Sequence, residues 1–453
     1  MFWSIFLFIS FFLLIFGPKL GGAIDTLSIC ATLVIGVALF LRSDRSLAKY
    51  TKNKIARWFF FFIAALCYVA MVAVIQNYFE AYQFLRFGRC AVNLLGFAAL
   101  VSLYYRVFGE KTVSIILRHL WLCMFLHALL MLFMFLSPSV NEFVNVYLHV
   151  LQEEDNFSYS LILAGLRNGG LTSSWDATSG INALGLLLLV VVDGKVLKTF
   201  APRIVLLLSI PLFVFAMAIS GTTGFVVTTI MLVVLFFMGR RKQILRFIFC
   251  TFVSSCILFI FLMWGGGFLS EEIQDRIERS TLARTRYMLG SSLGLVVPKY
   301  ERTADAEGTV KTIAMMYSVV PNNLKDFLIG RGGSGRGWDF KYYIVPADPG
   351  VMLNLNNLGI IGCFFLYGFI LFETIIAYRY RETLPIASVC VLINLLILIV
   401  DCKVQYAYAR NGLTLMMVPM ICLWEEIARL KIVRCAQVTR YIANSTPVGK
   451  IGR

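Results

Sequence analysis

Charge is scarce in this sequence: Asp, Glu, Lys and Arg make up 15% of 453 residues, with 25 acids against 41 bases. Histidine is scarcer, limited to His119, His127 and His149. The 304 residues after His149 therefore offer no imidazole for metal binding or proton transfer. The 11 cysteines include no CxxC pair and are scattered through apolar runs, so they read as small buried hydrophobes rather than as metal ligands or a disulfide framework. Alternating strand patterns are missing, which excludes a membrane barrel. The N-terminal run MFWSIFLFISFFLLIFGPK lacks a basic n-region and an A-x-A site, and reads as a retained first span. No internal repeat is evident, which counts against an inverted-repeat transporter.

Apolar surface is abundant. Hydrophobic residues make up 59% of the chain, mean hydropathy is +0.80, and runs near the ~20 residues that cross a bilayer recur along its length. The class expected is all-α: a polytopic helical membrane protein with about 12 transmembrane helices. The runs fall at 2–17, 22–41, 57–77, 88–105, 113–136, 179–193, 204–219, 221–238, 245–265, 351–377, 385–402 and 411–428.

A net charge of +16 would suggest nucleic acid in a soluble chain, but here its placement reports orientation and implies no nucleic-acid partner. With the N-terminus inside, 23 of the 41 basic residues fall in short inner segments, as the positive-inside rule requires. Both termini are then inside and two long segments face outward. The division expected is five spans in 1–136, a first outer segment 137–178, central spans in 179–265, a large outer loop 266–350, and closing spans with an inner tail in 351–453.

In the first outer segment Val140, Phe143, Val144, Tyr147 and Leu151 recur at helical spacing, predicting a helix along the interface with its polar face to water. RNGGLTSSWDATSG follows, with Arg167 and Asp176 ahead of a span. It reads as a turn capped by Ser179. The turn AISGTTGF offers Ser and Thr to cap helix ends or line an outward cavity.

The large loop carries 11 Lys plus Arg against 10 Asp plus Glu, so it cannot attract anions by bulk charge and would select them by placement. Arg276, Arg279 and Arg286 share one face of a helix. Glu272 and Asp275 stand four residues before Arg276 and Arg279, so those two read as ion-paired surface residues as readily as ligands. Arg284 and Arg286 have no such acid. A guanidinium fork matches phosphate oxygens, which makes them candidates for a lipid phosphate or diphosphate, with ordinary surface pairing as the alternative. Val310, Ile313, Ala314 and Tyr317 predict a second amphipathic helix. The run Gly330, Gly332, Gly333, Gly335 and Gly337 lacks the GK[ST] ending of a phosphate loop, and reads as a mobile loop beside the substrate.

The layout of about twelve spans, the long outer loop, and the closing block IGRGG to NLGIIG resemble the bacterial O-antigen polymerase and O-antigen ligase superfamily. The resemblance covers the layout and roughly 327–368. It implies a GT-C-like inner-membrane glycosyltransferase with a periplasmic active site, acting in lipopolysaccharide biosynthesis without metal or other cofactor. Its substrate would be an undecaprenyl-diphosphate-linked oligosaccharide, and its partners membrane lipid and a chain-length regulator. The ligase branch carries a histidine eleven residues before the GxxG that enters the next span. Gly359 and Gly362 form that GxxG here, and Asp348 occupies the position, which favours the polymerase branch.

Such a transfer needs charge stabilisation on the departing diphosphate and an aimed acceptor hydroxyl. Arg286, Arg284 and Arg167 are the first candidates for the diphosphate, and Arg276 and Arg279 the second. Asp348 is the candidate base, with capping of the helix near Gly350 as its alternative role. Trp338, Tyr342 and Tyr343 are candidates to stack on sugar faces, although aromatics are expected at this boundary anyway. The competing functions are an O-antigen ligase and a non-enzymatic flippase or exporter. An exporter should carry charges inside its spans, whereas charge here concentrates in loops.

Overall fold

The structure, a computed structural model, describes residues 2–20, 24–42, 47–148, 170–172, 175–192, 194–221, 223–239, 241–264, 317, 320–321, 323–332, 350–403, 406–408 and 412–445. These are helical apart from short turns and one two-residue antiparallel pairing, Lys19–Leu20 with Ile24–Asp25. The helices of the first half longer than five residues are α1 (Phe2–Phe16), α2 (Thr26–Phe40), α3 (Lys49–Gln76), α4 (Ala81–Phe108), α5 (Thr112–Leu136), α6 (Pro138–Phe143) and α7 (Trp175–Val191). Those of the second half are α8 (Arg203–Ser220), α9 (Thr223–Phe237), α10 (Arg241–Trp264), α11 (Leu324–Ile329), α12 (Gly350–Arg379), α13 (Pro385–Asp401) and α14 (Gly412–Ser445). All but α6 and α11 coincide with the twelve apolar runs.

Among the described residues, four helical stretches are long and apolar enough to cross a membrane: Lys49–Gln76, Phe84–Leu136, Arg203–Ser220 and Gly350–Arg379. The fold class is that of a helical membrane protein. Large side chains such as Phe60, Val74, Phe364, Phe365 and Phe372 are exposed along the helices, as a lipid-facing surface requires.

Helix α7 packs against α5, α8, α9 and α13, and α13 packs in turn on α12 and α14. The centre of the bundle therefore lies at α7, α13 and the first half of α14, where almost every side chain is buried. Some helices outrun their apolar stretches. Helix α3 begins at Lys49 rather than near residue 57, because its first turns are tied to the bundle: Thr51 Oγ1 donates to Glu425 Oε2 at 2.8 Å. The same end of the bundle holds Glu373, which accepts from Trp58 Nε1 at 3.0 Å and lies 3.9 Å from Lys54 Nζ.

The stripe expected in the first outer segment is helical as far as Leu148, but it is split: Val144 is buried and Val140 packs against the core, whereas the aromatic members face outward. Phe143 and Tyr147 are exposed with their rings tilted together at 5.4 Å, while Asn141 and Asn145 are buried and bonded to each other at 3.0 Å. A helix lying against a bundle in an apolar surround satisfies its amides inward and leaves its aromatics outside. Leu151 lies outside the described residues.

Candidate functional site

The polar groups opposite the Glu373 end form three connected sets. The first is built on a break in α12. Gly359 has φ 65° and ψ −179°, a backbone region essentially closed to other residues, and it splits the helix in two. Such a break leaves carbonyls without their usual N–H partners. Here the segment after α11 supplies them: Arg331 N donates to Asn356 O at 2.8 Å and Gly332 N to Asn357 O at 3.0 Å. Tyr68 of α3 donates its hydroxyl to Leu358 O at 2.8 Å, and the Gly362 N–H points at the Tyr68 hydroxyl oxygen. Gln76 Nε2 bonds to Gly330 O and, at 3.0 Å, to Asp326 Oδ1.

Both glycines of this contact are needed. A Cβ on Gly359 would sit 2.5 Å from Gly330 N and well inside contact distance of Leu328 O. A Cβ on Gly330 would overlap the Asn357 carbonyl. The blocks IGRGG and NLGIIG, remote in sequence, thus lock together backbone to backbone. Gly330 and Gly332 are docked against α12, which corrects the expectation of a mobile loop for these two. Gly333, Gly335 and Gly337 lie outside the described residues.

The second set surrounds Arg86, buried in the second turn of α4. Its Nε donates to Tyr408 O at 3.1 Å and its Nη1 to Asn354 Oδ1 at 3.0 Å, with the guanidinium against the Phe87 and Tyr408 rings. Asn354 Nδ2 donates to the Tyr367 hydroxyl at 2.7 Å, and that hydroxyl donates to Asp401 Oδ2. The other carboxylate oxygen of Asp401 accepts Tyr406 N at 2.6 Å and Ala407 N at 2.7 Å. Asn354 belongs to the half of α12 that precedes the break, so the two sets share one rigid piece. Burial pushes the Tyr406 and Tyr408 phenols above their ordinary range, which keeps them neutral. Tyr317, the one described member of its predicted stripe, donates its hydroxyl to Cys402 O. Burial first, then the neighbouring Cys402 and Asp401, raises its phenol as well.

The third set begins two residues beyond Asp401. Lys403 Nζ lies 2.8 Å from Asp176 Oδ1 and 2.7 Å from Thr223 Oγ1, and the Thr223 hydroxyl donates to the same aspartate oxygen. Ser179 does not cap its own helix, as the sequence had suggested, because α7 already begins at Trp175. Its hydroxyl instead accepts Gly224 N at 2.7 Å and donates to Gly221 O at 2.8 Å, capping α9 across the helix interface. The segment Gly170–Thr172 is seated on α5. Leu171 N donates to His127 Nε2 at 3.2 Å, and Gly170, at φ 53°, passes so close to that ring that no Cβ would fit.

The residues singled out from the sequence, Arg167, Arg276, Arg279, Arg284, Arg286, Trp338, Tyr342 and Asp348, all lie outside the described residues. Of the segments next to them, Gly330–Gly332, before Trp338, docks on the first half of α12, after Asp348, while Gly170–Thr172, after Arg167, rests on α5 and α7. Sequence reasoning missed Arg86, Asp401 and Lys403. The signal available was an ionisable residue at the edge of an apolar run, which in a membrane segment is functional by default. Charged side chains are also buried in helices, Arg86, Glu373, Asp401 and Glu425 among them, which corrects the picture of charge confined to loops.

Comparison with models of known protein families, with curated proteins and with solved structures gives no match to this chain.

Proposed function

We propose that the protein is a polymerase of O-antigen or a related surface polysaccharide, moving a growing glycan from undecaprenyl diphosphate to the next lipid-linked repeat unit. On this reading all twelve long helices cross the bacterial inner membrane, both termini are cytoplasmic, and the Asp401 end faces the periplasm. One observation carries it: the two blocks on which the family resemblance rests, IGRGG and NLGIIG, join at a helix break beside buried polar networks. Irregular backbone at membrane depth is tolerated where it is enclosed by protein or borders a cavity, which is where substrate sites of membrane proteins are built.

In this reaction the lipid diphosphate leaves from the anomeric carbon while an acceptor hydroxyl attacks it. Arg167, Arg284 and Arg286 would carry the diphosphate, with Arg276 and Arg279 beside them. A carboxylate takes the acceptor proton, for which the sequence offers Asp348. Arg286→Ala and Arg167→Ala should insert normally yet yield lipopolysaccharide with a single repeat unit, read on a gel. A normal ladder from both variants removes these arginines from the mechanism.

The buried Arg86, Asp401 and Glu373 favour a second reading, a polysaccharide exporter. A strain lacking the gene separates the two: one core-attached repeat marks a lost polymerase, whereas lipid-linked units held on the inner face mark a lost exporter.

A further inference from the structure

Asp176 is held as a reactive carboxylate is held. It stands in the first turn of α7, at the end of the bundle where α12 is broken. Oδ1 receives both Lys403 Nζ at 2.8 Å and the Thr223 hydroxyl, and Lys403 and Thr223 are themselves 2.7 Å apart. The carboxylate is thereby fixed by groups from two other parts of the chain. No described residue donates to Oδ2. The pair borders solvent, since the Lys403 side chain is 41% exposed and that of Asp176 10%.

The other described aspartates engaged at this end are committed on both oxygens. Asp401 accepts two backbone N–H groups and the Tyr367 hydroxyl. Asp326 accepts Gln76 on one oxygen, and Asn323 and Arg331 on the other. Asp176 is held on one oxygen, and among the described residues nothing engages the other.

We propose that Asp176 is the general base of the glycosyl transfer, in place of Asp348, an inference that rests on the polymerase reading. The acceptor hydroxyl gives its proton to Asp176 Oδ2 as its oxygen forms a bond to the donor's anomeric carbon. The bond from that carbon to the phosphate oxygen breaks, and the lipid diphosphate departs with the electron pair. The resulting carboxylic acid returns its proton to water. Lys403 and Thr223 position the carboxylate through Oδ1. A general base placed in this way contributes about 10²–10⁴-fold to the rate.

The test uses the full-length protein purified in detergent, with the lipid-linked repeat unit isolated from the host strain lacking the gene. Single-turnover extension and donor binding are measured on the wild type and on two variants. Asp176→Asn should extend at least a hundredfold more slowly, with donor affinity within twofold of wild type. Extension within threefold of wild type would overturn the assignment and leave Asp176 a clamp between α7 and α9. If the Asn variant does not fold, Asp176→Glu decides. It keeps the charge and its reach to Lys403 but shifts the accepting oxygen by about a bond length, where misplacement of ~1 Å costs about a hundredfold. An extension rate at least tenfold below wild type, with donor binding kept, supports the base, and a wild-type rate overturns it. No extension by the wild type itself overturns the polymerase reading and the base with it.

Discussion

Gly359→Ala should undo the contact between α11 and α12, and its size can be worked from the geometry. At φ 65°, ψ −179° a non-glycine residue costs about 1–3 kcal/mol in backbone strain alone. The added Cβ would lie 2.5 Å from Gly330 N and closer still to Leu328 O, both backbone atoms that cannot rotate aside. The docked segment must therefore withdraw, losing the Arg331 and Gly332 hydrogen bonds at about 1 kcal/mol each. The total is roughly 3–5 kcal/mol, a large share of the ~5–15 kcal/mol by which folded domains are usually stable. The assay is thermal unfolding in detergent, together with hydrogen exchange at the Arg331 and Gly332 amides. The control is Gly368→Ala in the same helix, where a Cβ meets nothing within 4 Å and Ala should be neutral or stabilising by up to about 1 kcal/mol. If Gly359→Ala melts with the control and both amides stay protected, the docking is not what holds the break.

Two further outcomes follow from the same geometry. Ser179→Ala should cost about 1 kcal/mol, the usual value of a lost helix cap, because Gly224 N loses its acceptor; a melting temperature equal to wild type would show that water replaces the hydroxyl. For orientation, Cys402 and Cys435 are both exposed and belong to opposite ends of the bundle. Retained singly in otherwise cysteine-free protein, Cys402 should react with an impermeant maleimide in intact spheroplasts and Cys435 only after lysis; the reverse pattern would invert the proposed topology.

The helices were legible because an apolar run in a chain with so little charge has one way to satisfy its backbone, and that logic needs no knowledge of neighbours. The break was not legible: 351–377 reads as one continuous span, and Gly359 and Gly362 stand out only as a GxxG at its entry. Nor was what occupies it, because the partners of its carbonyls come from Tyr68 and Arg331, outside the span. Lys403 was hidden for a related reason: in sequence it is one cation in a short connection, and only folding places it against Asp176 and Thr223. Ser179 was misread because its partner amide lies on another helix. Arg86 escapes notice because the apolar run begins only at residue 88, whereas the helix begins at Ala81 and carries the guanidinium inside.

These misreadings share a physical cause that bears on how the site works. In water a stray carbonyl or carboxylate is satisfied locally by solvent, whereas in a membrane bundle it must find a protein partner, and the partner is usually remote. At the Asp401 end the remote partners are chained. The segment after α11 holds the break in α12, and the half-helix before the break carries Asn354. Asn354 links Arg86 to Tyr367 and Asp401, and two residues later Lys403 grips Asp176. Within each set the links are hydrogen bonds and several are fully buried, so displacing one strands the next at about 1–3 kcal/mol per unsatisfied group. Displacing the docked segment would therefore be felt along the half-helix that carries Asn354, through bonded groups rather than through bulk charge.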